Sequence, residues 1–178
     1  MPDNSNYDAN DELNMLVESI KDDQIRSFVI QYGDAMDWKN FEKPASRHHH
    51  PADEREPYGN LVHTVRVARA CKVLADGIRM STHDTDVLIA AAIIHDSCRY
   101  GVAASADHTV DQHPSLPRRL CKETNIRCPD NHIFEIIESH MGIFGEQPYY
   151  PQIKPKDVII LADLLCANLN QLYGAADA

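Results

Sequence analysis

Apolar residues return every third or fourth position through most of this chain, and strict alternation over the length of a strand is hard to find. That periodicity is how helices bury one face each, and it predicts an all-α fold, a single helical bundle of about six or seven helices. Residues 11–36 read as two helices or one bent one. Leu13, Leu16, Val17 and Ile20 form one stripe and Ile25, Phe28, Val29 and Tyr32 the next, with Gly33 as a nearby stop signal. Helical spacing resumes over about 60–80, 84–97, 113–122, 130–141 and 156–172. The intervening 38–59 carries Pro44, Pro51, Pro57 and the triplet His48, His49, His50, and it reads as a loop too long to be mere connection. A length of 178 residues suits one domain, with N-terminal helices (1–37), this Pro/His-rich loop (38–59) and a helical core (60–173).

Charge narrows the function classes. Seventeen Lys and Arg stand against 27 Asp and Glu, a net charge of −10, and so acidic a surface repels a polyanion. Broad duplex DNA binding is therefore excluded, whereas a small anion in a pocket charged by a bound cation is not. The cysteines, Cys71, Cys98, Cys121, Cys128 and Cys166, are odd in number and form no C-x-x-C pair, so they read as reduced thiols, mostly in the core. The longest apolar run is the eight residues 87–94. A bilayer span takes about 20, so no membrane association and a cytoplasmic location are expected.

Several ionisable residues occupy faces that should be buried. His95 continues the stripe Leu88, Ala91, Ala92; His140 continues Ile133, Ile136, Ile137; His63 shares a face with Val67, Ala70 and Leu74. Asp163 interrupts the apolar run 159–165, where an unpaired carboxylate would be costly. One such residue is commonly a hydrogen-bonded core side chain. Four on four predicted helices, with Asp96 beside His95, point instead to imidazole and carboxylate groups converging on a transition metal.

The order His63, then His95-Asp96, then Asp163 resembles the signature of the HD superfamily of metal-dependent phosphohydrolases, over about residues 44–168. Asn60-Leu-Val-His-Thr-Val is similar to the family's first-His helix start, Ala91-Ala-Ile-Ile-His-Asp to its aliphatic lead into the His-Asp pair, and Leu161-Ala-Asp-Leu-Leu to its last-Asp helix. His113-Pro114 and Glu138-Ser-His140-Met-Gly resemble the two further motifs of the subset that binds two metals. The resemblance implies a first ion on His63, His95, Asp96 and Asp163, and a second on Asp96, as bridge, with His113 and His140. His108, five residues before His113, is the alternative to it.

The implied activity is hydrolysis of a phosphomonoester or phosphodiester of a nucleotide or short oligonucleotide, as a nucleotidase or phosphodiesterase, by a metal-activated hydroxide. His95 and Asp96 are then the catalytic residues, and the cofactor is one or two divalent ions. An imidazole-rich set favours manganese, iron, cobalt, nickel or zinc over magnesium or calcium. Arg47, His48, His49, Arg99 and Arg118 (or Arg119) are the expected substrate contacts, with His50, Tyr149 and Tyr150 as further candidates. The Pro44-Ala-Ser segment and Tyr58-Gly-Asn-Leu resemble the Pro-Ala-Ser and Gly-Gly-Leu stretch of a branch that trims RNA or DNA from the 3′ end. Two departures stand out: Asn60 replaces the second Gly, and His95-Asp-Ser-Cys-Arg99 replaces His-Asp-Ile-Gly-Lys. Two other readings compete: nucleophilic catalysis by Cys98, disfavoured by the neighbouring Asp96 charge, and a non-catalytic module that binds metal and nucleotide as a sensor or sequestering protein. The oligomeric state is open.

Overall fold

A computed structural model describes residues 8–46, 50–142 and 154–168. Among them are eight α-helices and no strand: α1 (Ala9–Ser19), α2 (Asp23–Ala35), α3 (Lys39–Glu42), α4 (Gly59–Gly77), α5 (Thr82–Ile94), α6 (Leu116–Glu123), α7 (His132–Ser139) and α8 (Lys154–Ala167), with 3-10 turns at Ala52–Arg55 and His113–Ser115. The helical periodicity is thus the correct guide to the fold class. The added helix is the short α3, inside the segment expected to be loop.

The N-terminal stretch is two helices, and the reason for the break is local. Asp22 caps α2 by accepting the N–H groups of Gln24 (2.8 Å) and Ile25 (3.1 Å), which an uninterrupted helix would not need. The junction is also pinned from the core: the buried carboxylate of Asp86 on α5 accepts the backbone N–H of Lys21 (3.1 Å) and of Asp22 (2.8 Å). Leu13, Leu16, Ile25, Phe28, Val29 and Tyr32 all turn inward, as their spacing requires.

α5 is the axis of the bundle. Every residue from Val87 to Ile94 is buried, so beyond its exposed first turn this helix has no solvent face, and α2, α4, α7 and α8 pack around it. α4 is the second axis, lying against α1, α5 and α8. One hydrophobic cluster runs from Ala9 on α1 to Cys166 on α8. The five cysteines are free thiols, four of them buried and Cys128 half-buried. None of the described helices is long and apolar enough to cross a membrane.

The boundaries that matter lie at helix ends. α5 stops at Ile94, and α7 stops at Ser139. His95 and His140 are therefore the capping residues, although the sequence pattern places them inside their helices. His113 opens a 3-10 turn and is not the first residue of α6.

Asp86→Ala leaves two part-buried backbone N–H groups without an acceptor and is expected to cost about 2 kcal/mol, or about 4–8 °C in melting temperature for a chain of this size. Thermal melts followed by circular dichroism check this; an unchanged Tm would show that the α1–α2 junction does not depend on α5.

Candidate metal centre

Three of the histidines reach the centre of the molecule by one device. The last carbonyls of a helix have no partner within it. The Nδ1–H of His95 donates to Ala92 O at 2.7 Å and that of His140 to Ile137 O at 2.7 Å, each closing the end of its own helix; His113 does the same in its turn, donating to Val110 O at 2.8 Å. With Nδ1 protonated in a neutral ring, Nε2 is a bare acceptor pointing the other way. All three rings are buried, as is His63 on α4.

The Nε2 atoms converge on Asp96. Its Oδ1 lies 3.2 Å from His113 Nε2 and 3.7 Å from His140 Nε2, while its Oδ2 lies 3.6 Å from His95 Nε2 and 3.9 Å from His63 Nε2. Asp163 comes from α8, with Oδ1 at 3.0 Å from His63 Nε2. Three groups of donor atoms lie within 4.8 Å of one another among the described residues, and two of them, His63–His95–Asp163 and Asp96–His113–His140, meet at Asp96, while the third is His50–Glu54–His63 on the far side of the His63 ring. The structure thus brings together all six residues that the sequence singles out as metal ligands. His113, not the exposed His108, is the one in the cluster.

The backbone at Asp96 is held as firmly as its carboxylate. Asn60 is fully buried, and its amide donates to the carbonyls of Asp96 and Asn40, both at 3.1 Å. Asn40 in turn accepts the N–H of Tyr100 at 2.9 Å. The Asn that departs from the Gly-Gly-Leu pattern therefore ties α3 and α4 to the turn bearing the His-Asp pair.

Charges in the cluster are strongly coupled. Burial alone would raise Asp96, but Arg99, His95 and His113 hold it well below the usual carboxylate range. Burial pushes His140 down to about 4, helped by the neighbouring His95 and His113, and pushes His95 down as well. His63 goes the other way: burial opposes its protonation, yet hydrogen bonds to Asp163 and Glu54 raise it to about 9. Asp163 is correspondingly held low by His63 against the effect of its burial.

These donors fit a cation. His95 Nε2 and Asp96 Oδ1 are buried without a hydrogen-bond partner, and the Nε2 atoms of His113 and His140 face each other at 3.2 Å with both Nδ1 protons already donated elsewhere. Converging lone pairs repel unless something positive lies among them, and imidazole with carboxylate is the donor set of transition metals.

One residue that touches the cluster carries no signal in the sequence. Glu54, in the 3-10 turn Ala52–Arg55, is fully buried and accepts the Nδ1–H of His63 at 3.1 Å. The other predicted residues are placed as follows. The Arg99 guanidinium bonds Asp96 Oδ2 and donates through Nε to Thr109 Oγ1 at 3.1 Å. Arg118 bonds Glu138 (2.5 Å) and Asn131 (2.6 Å) and stacks over Phe134, while Arg119 pairs with Glu123 at the surface. His50 is buried against Glu54 at 2.7 Å. Arg47, His48, His49, Tyr149 and Tyr150 lie outside the described residues. Cys98 sits beside Tyr32 Oη at 3.5 Å with its thiol pushed up by burial, the opposite of an activated nucleophile.

The family model described as HD domain matches residues 60–168, which contain all six converging residues. No curated protein and no solved structure matches the chain.

The charge coupling has a measurable consequence. His63 keeps its second proton up to pH about 9 in the metal-free protein, and an ion arriving at Nε2 must displace it. Because the protonated form competes, apparent affinity for manganese should rise about tenfold per pH unit through neutrality and level off above the pKa. Calorimetric titrations at pH 7 in buffers of different ionisation enthalpy should register release of about one proton; no release would mean that His63 is not a ligand.

Proposed function

The chain belongs to the HD-domain family, whose members are metal-dependent phosphohydrolases in general, and from that membership and the paired donor groups we propose that it hydrolyses a phosphate ester of a nucleotide or short oligonucleotide. The observation that carries the reading is Asp96, with one carboxylate oxygen turned toward each group of imidazoles. His63, His95, Asp96 and Asp163 hold one divalent ion, and Asp96, His113 and His140 hold the other. Such ions lower the pKa of bound water to about 7 and neutralise charge on phosphoryl oxygens.

The chain's own groups do the rest. The carbonyl-anchored imidazoles keep their Nε2 atoms aimed inward without reorganisation, and Asp96 spans both groups because a carboxylate has two oxygens. Arg99, already against Asp96 and largely buried, offers a planar, permanently charged donor to a phosphate oxygen. Arg47, His48 and His49, just ahead of the buried His50, supply further contacts to the substrate. Arg118 and Arg119 are left out of that set because Glu138 and Glu123, the carboxylates that engage them, are not among the converging residues, whereas the partner of Arg99 is Asp96 itself. The net charge of −10 favours a small anionic substrate drawn into a cationic pocket over a duplex held on the surface. The five free thiols suit a reducing compartment, and we place the protein in the cytoplasm.

Elemental analysis after manganese reconstitution is expected to give about two ions per chain. The loaded protein should then cleave p-nitrophenyl phosphate, bis-p-nitrophenyl phosphate or a short oligonucleotide. Asp96→Ala should abolish turnover while the helical circular dichroism signal persists. Metal uptake without turnover of any of these substrates would overturn the hydrolase reading in favour of a binding module.

A further inference from the structure

His63 differs from the other three converging histidines in what holds it. His95, His113 and His140 each close a turn on a carbonyl three residues back. His63 lies within the first turns of α4, where the nearby carbonyls are taken by the helix itself, so its Nδ1–H needs a partner from elsewhere. That partner is Glu54, a carboxylate with no solvent exposure.

Burying a carboxylate is costly unless it is fully hydrogen-bonded, and Glu54 is bonded on both oxygens. Oε2 accepts from His63 Nδ1 (3.1 Å) and from His50 Nδ1 (2.7 Å), and Oε1 accepts from Arg66 Nη1 (2.7 Å). Its main chain is fixed as well. The Glu54 carbonyl accepts the N–H of Ala45 at 2.8 Å, and Gly59 packs so closely that an added Cβ would stand 2.1 Å from that oxygen. Only glycine permits this approach, so the Pro-rich segment folds back onto the start of α4 with the carboxylate directly behind His63. Residue 54 also lies ahead of the stretch 60–168 that the family model covers.

We infer that Glu54 is the positioning residue of the first ligand group: it fixes His63 as the Nδ1–H tautomer with Nε2 toward Asp163 and His95, and it ties His50 to that same group through a shared oxygen. A carboxylate on the far nitrogen makes an imidazole a better metal ligand than a carbonyl does, because the negative charge raises its basicity. Once His63 has given up its proton at Nε2, the ion bound through it is accordingly the tighter of the two. The inference rests on the reading of His63 as a metal ligand.

The test uses the full chain and manganese alone as probe, with affinities measured by competition against a chelator. Glu54→Gln keeps the shape and removes the charge; it should weaken the tighter ion about 10–100-fold and leave the other unchanged. Glu54→Asp, which keeps the charge, should recover part of the loss. Glu54→Gln with wild-type affinity for both ions, even at a lowered melting temperature, would reduce Glu54 to a structural residue and overturn the inference while the hydrolase reading stands. Wild-type protein that binds no metal would overturn both. Should Glu54→Gln not fold, nitrogen-15 spectra of the zinc-loaded wild type decide: a protonated His63 Nδ1 with metal on Nε2 supports the inference, and the reverse tautomer defeats it.

Discussion

A carboxylate inside an apolar bundle persists only where positive charge or N–H donors converge on it, and in this protein that carboxylate is Asp96. It is 1% exposed and follows the helix that carries the longest apolar run of the chain. Its setting explains much of the rest: Arg99 three residues on lies against it, four imidazoles point at it from α4, α5, α7 and the His113 turn, and Asn60 grips its carbonyl. Replacing Arg99 with an aliphatic group would fill the space but leave the charge without its paired cation.

The location of His95 and His140 at helix ends follows from the same constraint. A residue inside a helix directs its side chain from a cylinder already saturated with its own hydrogen bonds, whereas a residue just past the end meets unpaired carbonyls. His95 and His140 use those carbonyls to lock one nitrogen and free the other, so one hydrogen bond serves both helix capping and ligand orientation. His63, lacking that option, draws on a buried glutamate. Three of the rings are therefore braced by neutral dipoles and one by a full charge, and the two ligand groups are electrostatically unequal even though both contain imidazoles.

This division also explains what could be read from the sequence. The stripes Leu88–Ala91–Ala92 and Ile133–Ile136–Ile137 extend through His95 and His140 because a capping residue still points along its helix's inner face, so the pattern marked the right side chains while misplacing the helix boundary. The His113-Pro114 motif at the start of a periodic stretch already favoured His113 over His108, and of the two only His113 is buried in the cluster while His108 is exposed. Glu54 left no signal of its own. It lies among Asp53, Arg55 and Glu56, a charged stretch that reads as solvated loop, and only the backbone approach at Gly59 turns it inward. Periodicity reports which face of a regular helix is buried; it is silent about a carboxylate delivered by a folded-back loop.

The electrostatics of the site reconcile an acidic chain with an anionic substrate. With the proposed ions in place, two dications outweigh the carboxylates of Asp96 and Asp163 by about two charges, before Arg99 is counted. Glu54 does not reverse this, because Arg66 is paired with it behind His63. The cluster thus becomes a local cationic well in a molecule of net charge −10, and the surrounding negative surface disfavours every polyanion too large to reach the well without lying across that surface. With the proposed ions in place, this contrast between the buried cluster and the exterior would favour a single phosphate, or the free end of a short strand, over a longer polyanion.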